Sequence, residues 1–213
     1  MIYLLMNGQV SVFILILIAI IISLTFHEWG HARAAKYFGD NTAEQMGRLT
    51  LNPAAHIDPL GLLMVAVVGF GFAKPVPTNP RNFRVHWADF YVAAAGPLMN
   101  LVLAIFFANL YTLGLKMGWE FFYGEGQQIF FSYLVIINIV LMLFNLIPLG
   151  PLDGHYIFPY FLPKDMAYRY RILNAQYGSL LLMGLVVLSI VGVPIFRFIM
   201  SIGQSIMPYL VFV

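Results

Sequence analysis

The stretch VSVFILILIAIIISLTFHEWGH, Val10 to His31, decides how this chain folds. Its first 17 residues, Val10 to Phe26, carry no charge. A helix that crosses the hydrocarbon core of a bilayer needs about 20 apolar residues, with a lower limit near 17. The run therefore predicts a membrane-spanning first helix, with the helical pattern continuing through His31 toward Phe38. It does not read as a cleaved signal segment. No basic region precedes it, and His27, Glu28 and Trp29 stand where small cleavage-site residues belong.

Composition extends this reading to the whole chain. Of 213 residues, 61% are hydrophobic and 9% charged, against about 25% charged in a soluble domain. Too little polar surface exists to cover a water-soluble particle, so an integral membrane protein is expected. A net charge of +2 with scattered basic residues excludes nucleic acid as a partner. With no cysteine, disulfides and thiolate metal sites are excluded, and any metal is held by His, Asp or Glu.

Further apolar segments follow: Leu60 to Ala73, Ala88 to Leu113, Phe130 to Pro148, Gly178 to Val193, and Pro194 to Val213, the last interrupted by Arg197 and Pro208. Leu60 to Ala73 is short; as a helix it reaches about 21 Å, less than the core thickness of about 30 Å. If it is re-entrant, nine basic residues (Arg33, Lys36, Arg48, Lys74, Arg81, Arg84, Lys164, Arg169 and Arg171) share one side and only Lys116 takes the other. A full crossing would divide them six to four. The positive-inside rule favours the re-entrant form, with the N-terminus outside. Gly47 to Leu51 reads as a short strand, Lys74 to Arg84 with its three prolines as an extended loop, and Asp165, Arg169 and Arg171 as a solvated loop. The expected fold is an all-α polytopic membrane protein. It has about five or six transmembrane helices, a short re-entrant segment and a small β element near the active site. Residues 1–213 form one membrane-embedded domain, with a core over about 8–158, extra C-terminal helices over about 176–213, and no room for an appended soluble domain.

His27 and His31 lie one helical turn apart on one face, so both can hold one metal, with Glu28 beside them as a base. Three ionisable groups on an apolar span are costly without a function. A catalytic zinc needs a third protein ligand and an open position. Asp153, in NLIPLGPLDGH (Asn145 to His155), stands in irregular backbone of the kind that lines polar cavities in membranes. Asp-Gly is equally a common turn pair, and a solvated turn is the other reading of Asp153. With the re-entrant topology, the first helix and Phe130 to Pro148 run parallel, and His31 and Asp153 meet on the basic side.

HEWGH on a first helix, followed by the Asn145 to His155 motif, resembles the site-2 protease family of intramembrane zinc metalloproteases. Ala94-Ala95-Gly96-Pro97-Leu98-Met99-Asn100 resembles its intervening helix. Asn52-Pro53 through His56, Asp58-Pro59-Leu60-Gly61, and Lys74-Pro75-Val76-Pro77 with Asn79-Pro80-Arg81 resemble its compact branch without appended soluble domains. The resemblance implies one Zn2+ per chain held by His27, His31 and Asp153. It implies Glu28 as general base and Asn145 as a residue that positions substrate or the reacting carbonyl. The activity implied is hydrolysis of peptide bonds in transmembrane protein substrates by zinc-activated water, within a multi-pass cell-membrane protein whose active site faces the cytoplasm. Asn145, His155 and His56 are the oxyanion candidates, and Asn100 a further possible substrate contact. His86 beside Trp87 reads as an interface residue. A substrate helix must unwind locally, and a Gly47 to Leu51 strand would hold it extended by β-addition. A metal transporter is the competing class, but its pathway would need polar residues along several spans, and here they gather at one end. The other competitor is an inactive homologue that serves as a binding partner.

Overall fold

The apolar runs form helices, and three of them build the body of the protein. In the computed structural model residues 1–69 and 71–213 are described, apart from the side chain of Val68. Phe70, inside the expected short segment Leu60 to Ala73, lies outside the described residues. Among the described residues the helices are α1 (Ile2–Met6), α2 (Val10–Tyr37), α3 (Thr42–Gln45), α4 (Pro59–Val68), α5 (Ala88–Lys116), α6 (Glu125–Asn145), α7 (Gly154–Ile157), α8 (Lys164–Val191) and α9 (Ile195–Ile206). Four of these, α2, α5, α6 and α8, are long and apolar enough to cross a membrane.

Helices α2, α5 and α6 pack on one another. Far from the histidines, Ala104 and Ala108 of α5 and Val135 and Ile139 of α6 form a buried apolar cluster with Leu210. The contacts also fix directions. Ser23 of α2 bonds Asn138 of α6, and further along both chains His31 faces Asp153, so α2 and α6 run parallel. His31 bonds the Val92 carbonyl while Asn100 reaches back to Ser23, so α5 runs antiparallel to α2.

The end of α2 and the start of α5 lie together. Arg84 N–H donates to the Phe38 carbonyl at 2.9 Å. The intervening chain therefore leaves one point and returns to it. Helix α4, of 10 residues, is about 15 Å long. Asp58 caps its start by accepting from Gly61 N–H at 2.9 Å, with Pro59 in the first turn. Phe72 returns against Gly61 so closely that a Cβ on Gly61 would meet the Phe72 carbonyl.

Three expectations need correction. No strand occurs among the described residues. Gly47 to Leu51 makes a turn and bends instead, because Arg48 is drawn onto the 74–75 carbonyls and the Thr50 carbonyl onto the His56 ring. The small β element is therefore absent from that segment. Second, among the described residues four helices have spanning length, where five or six were expected. The sixth candidate yields α9, of 12 residues, only about 18 Å long. Third, Asp165, Arg169 and Arg171 are not in a loop. They occupy the first turns of α8, a 28-residue helix that begins well before Gly178.

Asp40 fastens the return of the chain. It is fully buried. Its Oδ1 accepts from Thr42 N–H (3.1 Å), Thr42 O–H (2.5 Å) and Asn82 Nδ2 (2.9 Å), and its Oδ2 from Asn79 N–H (2.6 Å). Burial works to raise its pKa, but these donors outweigh it and hold the carboxyl below its ordinary value. A depressed folded-state pKa gives stability that is present above the unfolded value of about 3.9 and is lost as pH falls through the folded value. Asp40→Ala is expected to cost about 2–4 kcal/mol, because it strands several donors. A thermal midpoint in detergent several degrees below wild type at pH 7 is the expected result, and an unchanged midpoint would remove Asp40 from this role.

Candidate metal centre and active site

The geometry of α2 sets two imidazoles on one face. His27 and His31 are both buried, and their Nε2 atoms lie 3.0 Å apart. Asp153, just before α7, completes the group. Its Oδ2 is 3.3 Å from His27 Nε2 and its Oδ1 is 3.4 Å from His31 Nε2. One ligand atom from each of the three lies within 4.8 Å of the others.

Hydrogen bonds on the far side of each ring fix what these atoms can do. His31 Nδ1 is 2.7 Å from the Val92 carbonyl, which can only accept, so Nδ1 carries the proton. His27 Nδ1 is 2.6 Å from Asn100 Oδ1. The Asn100 amide nitrogen donates to the Asn138 Oδ1 (2.8 Å) and the Ser23 carbonyl (3.2 Å), which orients its oxygen toward His27. Asn138 in turn donates to Ser23 Oγ at 2.8 Å. With each ring neutral and its proton on Nδ1, both Nε2 atoms are acceptors, and they face a carboxylate. Asp153 Oδ2 is buried with no hydrogen-bond partner among the described residues. Three facing lone-pair donors repel one another, and a divalent cation between them removes the conflict. Two imidazole nitrogens and one carboxylate fit zinc with an open position.

Two glycines make this packing possible. A Cβ on Gly30 would come within 2.9 Å of the Ala95 carbonyl, so α2 and α5 approach closely only without one. A Cβ on Gly96 would collide with His31 Nε2 and with the His27 ring. Pro97 follows inside α5 and leaves one turn without a backbone donor. The Ala94 to Asn100 motif thus acts at three points: Gly96 makes room for the rings, Ala95 lies against Gly30, and Asn100 orients His27.

The loop that carries Asp153 is held from α8. Gly150 N–H donates to Asn174 Oδ1 at 2.9 Å, and Tyr170 O–H donates to the Pro148 carbonyl at 2.7 Å. Glu28, also buried, accepts the Val76 N–H on Oε2 at 3.0 Å.

The other expected residues divide. Asn145 is half-buried at the end of α6 and donates to its own Leu141 carbonyl at 3.0 Å. His155 Nδ1 bonds the Leu152 carbonyl at 2.6 Å, so its neutral ring offers only an acceptor at Nε2. His56 is fully buried, with Nε2 on the Thr50 carbonyl at 2.7 Å, and Asn100 is taken by its three partners. The His86 carbonyl accepts the Tyr160 hydroxyl at 3.0 Å. Sequence reasoning missed Ser23, Asn138, Tyr170 and Asn174. Ser23 and Asn138 were visible only as single polar residues inside apolar spans.

The profile of peptidase family M50 matches residues 15–129, more than half of the chain. The chain belongs to peptidase family M50. This M50 protein is similar to YwhC of Bacillus subtilis strain 168, named as a zinc metalloprotease, with 42% identity over 176 residues, 81% of this chain and 80% of that one. It is also similar to Rip2 of Mycolicibacterium smegmatis, likewise named, with 36% identity over 160 residues, 70% of this chain and 57% of that one. Rip2 of Mycobacterium tuberculosis strain H37Rv is 27% identical over 153 residues, 68% of this chain and 56% of that one. No solved structure matches. The chain is a metalloprotease of the site-2 protease type with zinc as its metal, and a multi-pass membrane protein.

Losing the Nδ1 partner of His27 should weaken the metal site of this M50 protease. Asn100→Ala is expected to lower zinc affinity by about 10–100-fold in chelator competition. Gly96→Ala should lower it at least as far, because the added methyl meets His31. Wild-type affinity in both variants would separate these residues from the metal.

Proposed function

We propose that this M50 protein is an intramembrane zinc metalloendopeptidase that cuts membrane-spanning protein substrates. In this reading His27, His31 and Asp153 hold the metal and Glu28 is the general base. The observation that carries it is the meeting of three possible metal-ligand atoms from two separate parts of the chain, each ring fixed by a bond on its far side.

Bound zinc supplies a Lewis acid that polarises the scissile carbonyl and lowers the pKa of water toward about 7. Glu28 takes the proton of the attacking water and returns it to the leaving amine. Among the described residues the Asn145 Oδ1 and one amide hydrogen have no protein partner, which suits a residue that positions the reacting peptide. The oxyanion needs a donor besides the metal. Asn145 suits this role better than His155, which presents an acceptor, than His56, which is fully buried with Nε2 on the Thr50 carbonyl, or than Asn100, whose amide is turned to protein partners.

The membrane arrangement belongs to the same proposal. The parallel course of α2 and α6, and the return of the chain from Phe38 to Arg84, support a re-entrant α4 segment. With nine basic residues at the site's end, the positive-inside rule then sets the N-terminus outside and the active site toward the cytoplasm.

The test is zinc content per chain and cleavage of a transmembrane peptide in detergent. Wild type should hold about one zinc, and His27→Ala and Asp153→Ala should lose it. Glu28→Gln should retain zinc while its kcat falls by about 10²–10⁴-fold. Zinc retained without Asp153, or full cleavage without Glu28, would contradict the assignment.

A further inference from the structure

Lys74-Pro75-Val76-Pro77 crosses the site in extended form, with no strand partner among the described residues. Pro75 and Pro77 have no N–H, so Val76 supplies the only backbone donor from 75 to 77. That donor is directed at Glu28 Oε2, 3.0 Å away. Glu28 Oε1 accepts no hydrogen bond among the described residues, so the carboxylate is held by one oxygen with the other left open.

The segment is held against sliding at Lys74 and Pro75. Lys74 N–H donates to the His56 carbonyl at 2.8 Å. Arg48 donates from Nη2 to the Lys74 carbonyl (2.5 Å) and from Nη1 to the Pro75 carbonyl (3.1 Å). Arg48 is 6% exposed, and no carboxylate lies within ion-pair distance of it among the described residues. Burying a guanidinium away from a direct counter-ion is costly, and a long basic residue would ordinarily reach water. Here the guanidinium grips the two consecutive carbonyls that flank Pro75, the second of which belongs to the peptide unit that carries the Val76 N–H. A Lys could reach one of them but not both in this fork geometry.

We infer that Arg48 and the Val76 amide form a positioning device for Glu28, in which the guanidinium clamps the 74–75 carbonyls so that the Val76 N–H fixes one carboxylate oxygen and aims the other at the attacking water. The inference rests on Glu28 being the base. It gives the base the orienting partner that catalytic bases elsewhere draw from a third group. It also explains the spacing of the two prolines: one on each side removes competing donors and keeps the strap extended, while a donor remains at the single position that faces Glu28. Arg48 lies outside the proposed metal ligands and acts on Glu28 through the backbone it holds and through its own nearby charge.

Val76→Pro removes that one N–H in a segment already extended by its flanking prolines. The full-length protein in detergent would be assayed for zinc per chain and for steady-state cleavage of a transmembrane peptide. The expected result is wild-type zinc, KM within about twofold, and kcat lowered by about 10–100-fold, the usual cost of losing an orienting partner. Arg48→Met should lower kcat similarly, and Arg48→Lys should recover part of it. Wild-type kcat in Val76→Pro would overturn the inference. So would a raised kcat, which would make the strap a cover over the site, or lost zinc, which would make it a structural support of the metal ligands. Failure of the underlying reading shows separately, as wild type without zinc or Glu28→Gln with full cleavage.

Discussion

Three acceptor atoms facing one another in a buried space are the constraint on which this structure depends. His27 Nε2, His31 Nε2 and an Asp153 oxygen cannot sit this close without a cation or a proton among them. Much of the surrounding structure keeps them there. Gly30 lets α5 come against α2, Gly96 leaves room for the rings, and Asn100 and the Val92 carbonyl take the ring protons. Tyr170 and Asn174 hold the loop on which Asp153 arrives. Truncating one of these groups would disturb the placement of His27, His31 or Asp153.

The buried polar chain from His27 through Asn100 and Asn138 to Ser23 runs down the centre of the three packed helices. Every member is hydrogen-bonded, which is what permits polar side chains at such a depth. The chain ties α2, α5 and α6 together where small side chains leave little apolar contact, and the apolar cluster around Ala104 and Ile139 takes over toward the far end. Helix α8 is different. Only Gly178 and Leu182 of its 28 residues are buried, so it meets the body chiefly through the two side chains that hold the Asp153 loop. Its broad apolar surface is consistent with a lipid environment.

The sequence disclosed most where one residue pattern has one physical meaning. Unbroken apolar runs marked α2, α5 and α6, and the i, i+4 histidines needed only the helical period to meet. Asp153 was harder, since Asp-Gly is also ordinary turn chemistry; parallel helices and family resemblance singled it out. The strand over Gly47 to Leu51 failed because a strand is defined by a partner, and Arg48 and Thr50 bond instead to a loop and to a histidine. The start of α8 was missed because Asp165, Arg169 and Arg171 break the apolar pattern without breaking the helix. Tyr170 and Asn174 belong to no motif in the sequence, and only the fold brings the Pro148–Gly150 backbone to them.

X-ray absorption at the zinc edge, on the loaded protein and on its Asp153→Ala form, tests the central claim most directly. The account predicts two imidazole nitrogens at about 2.0–2.1 Å with oxygen ligands in the remaining positions, and a changed or empty site without Asp153. A site with three imidazoles, or a spectrum unaffected by the loss of Asp153, would contradict it.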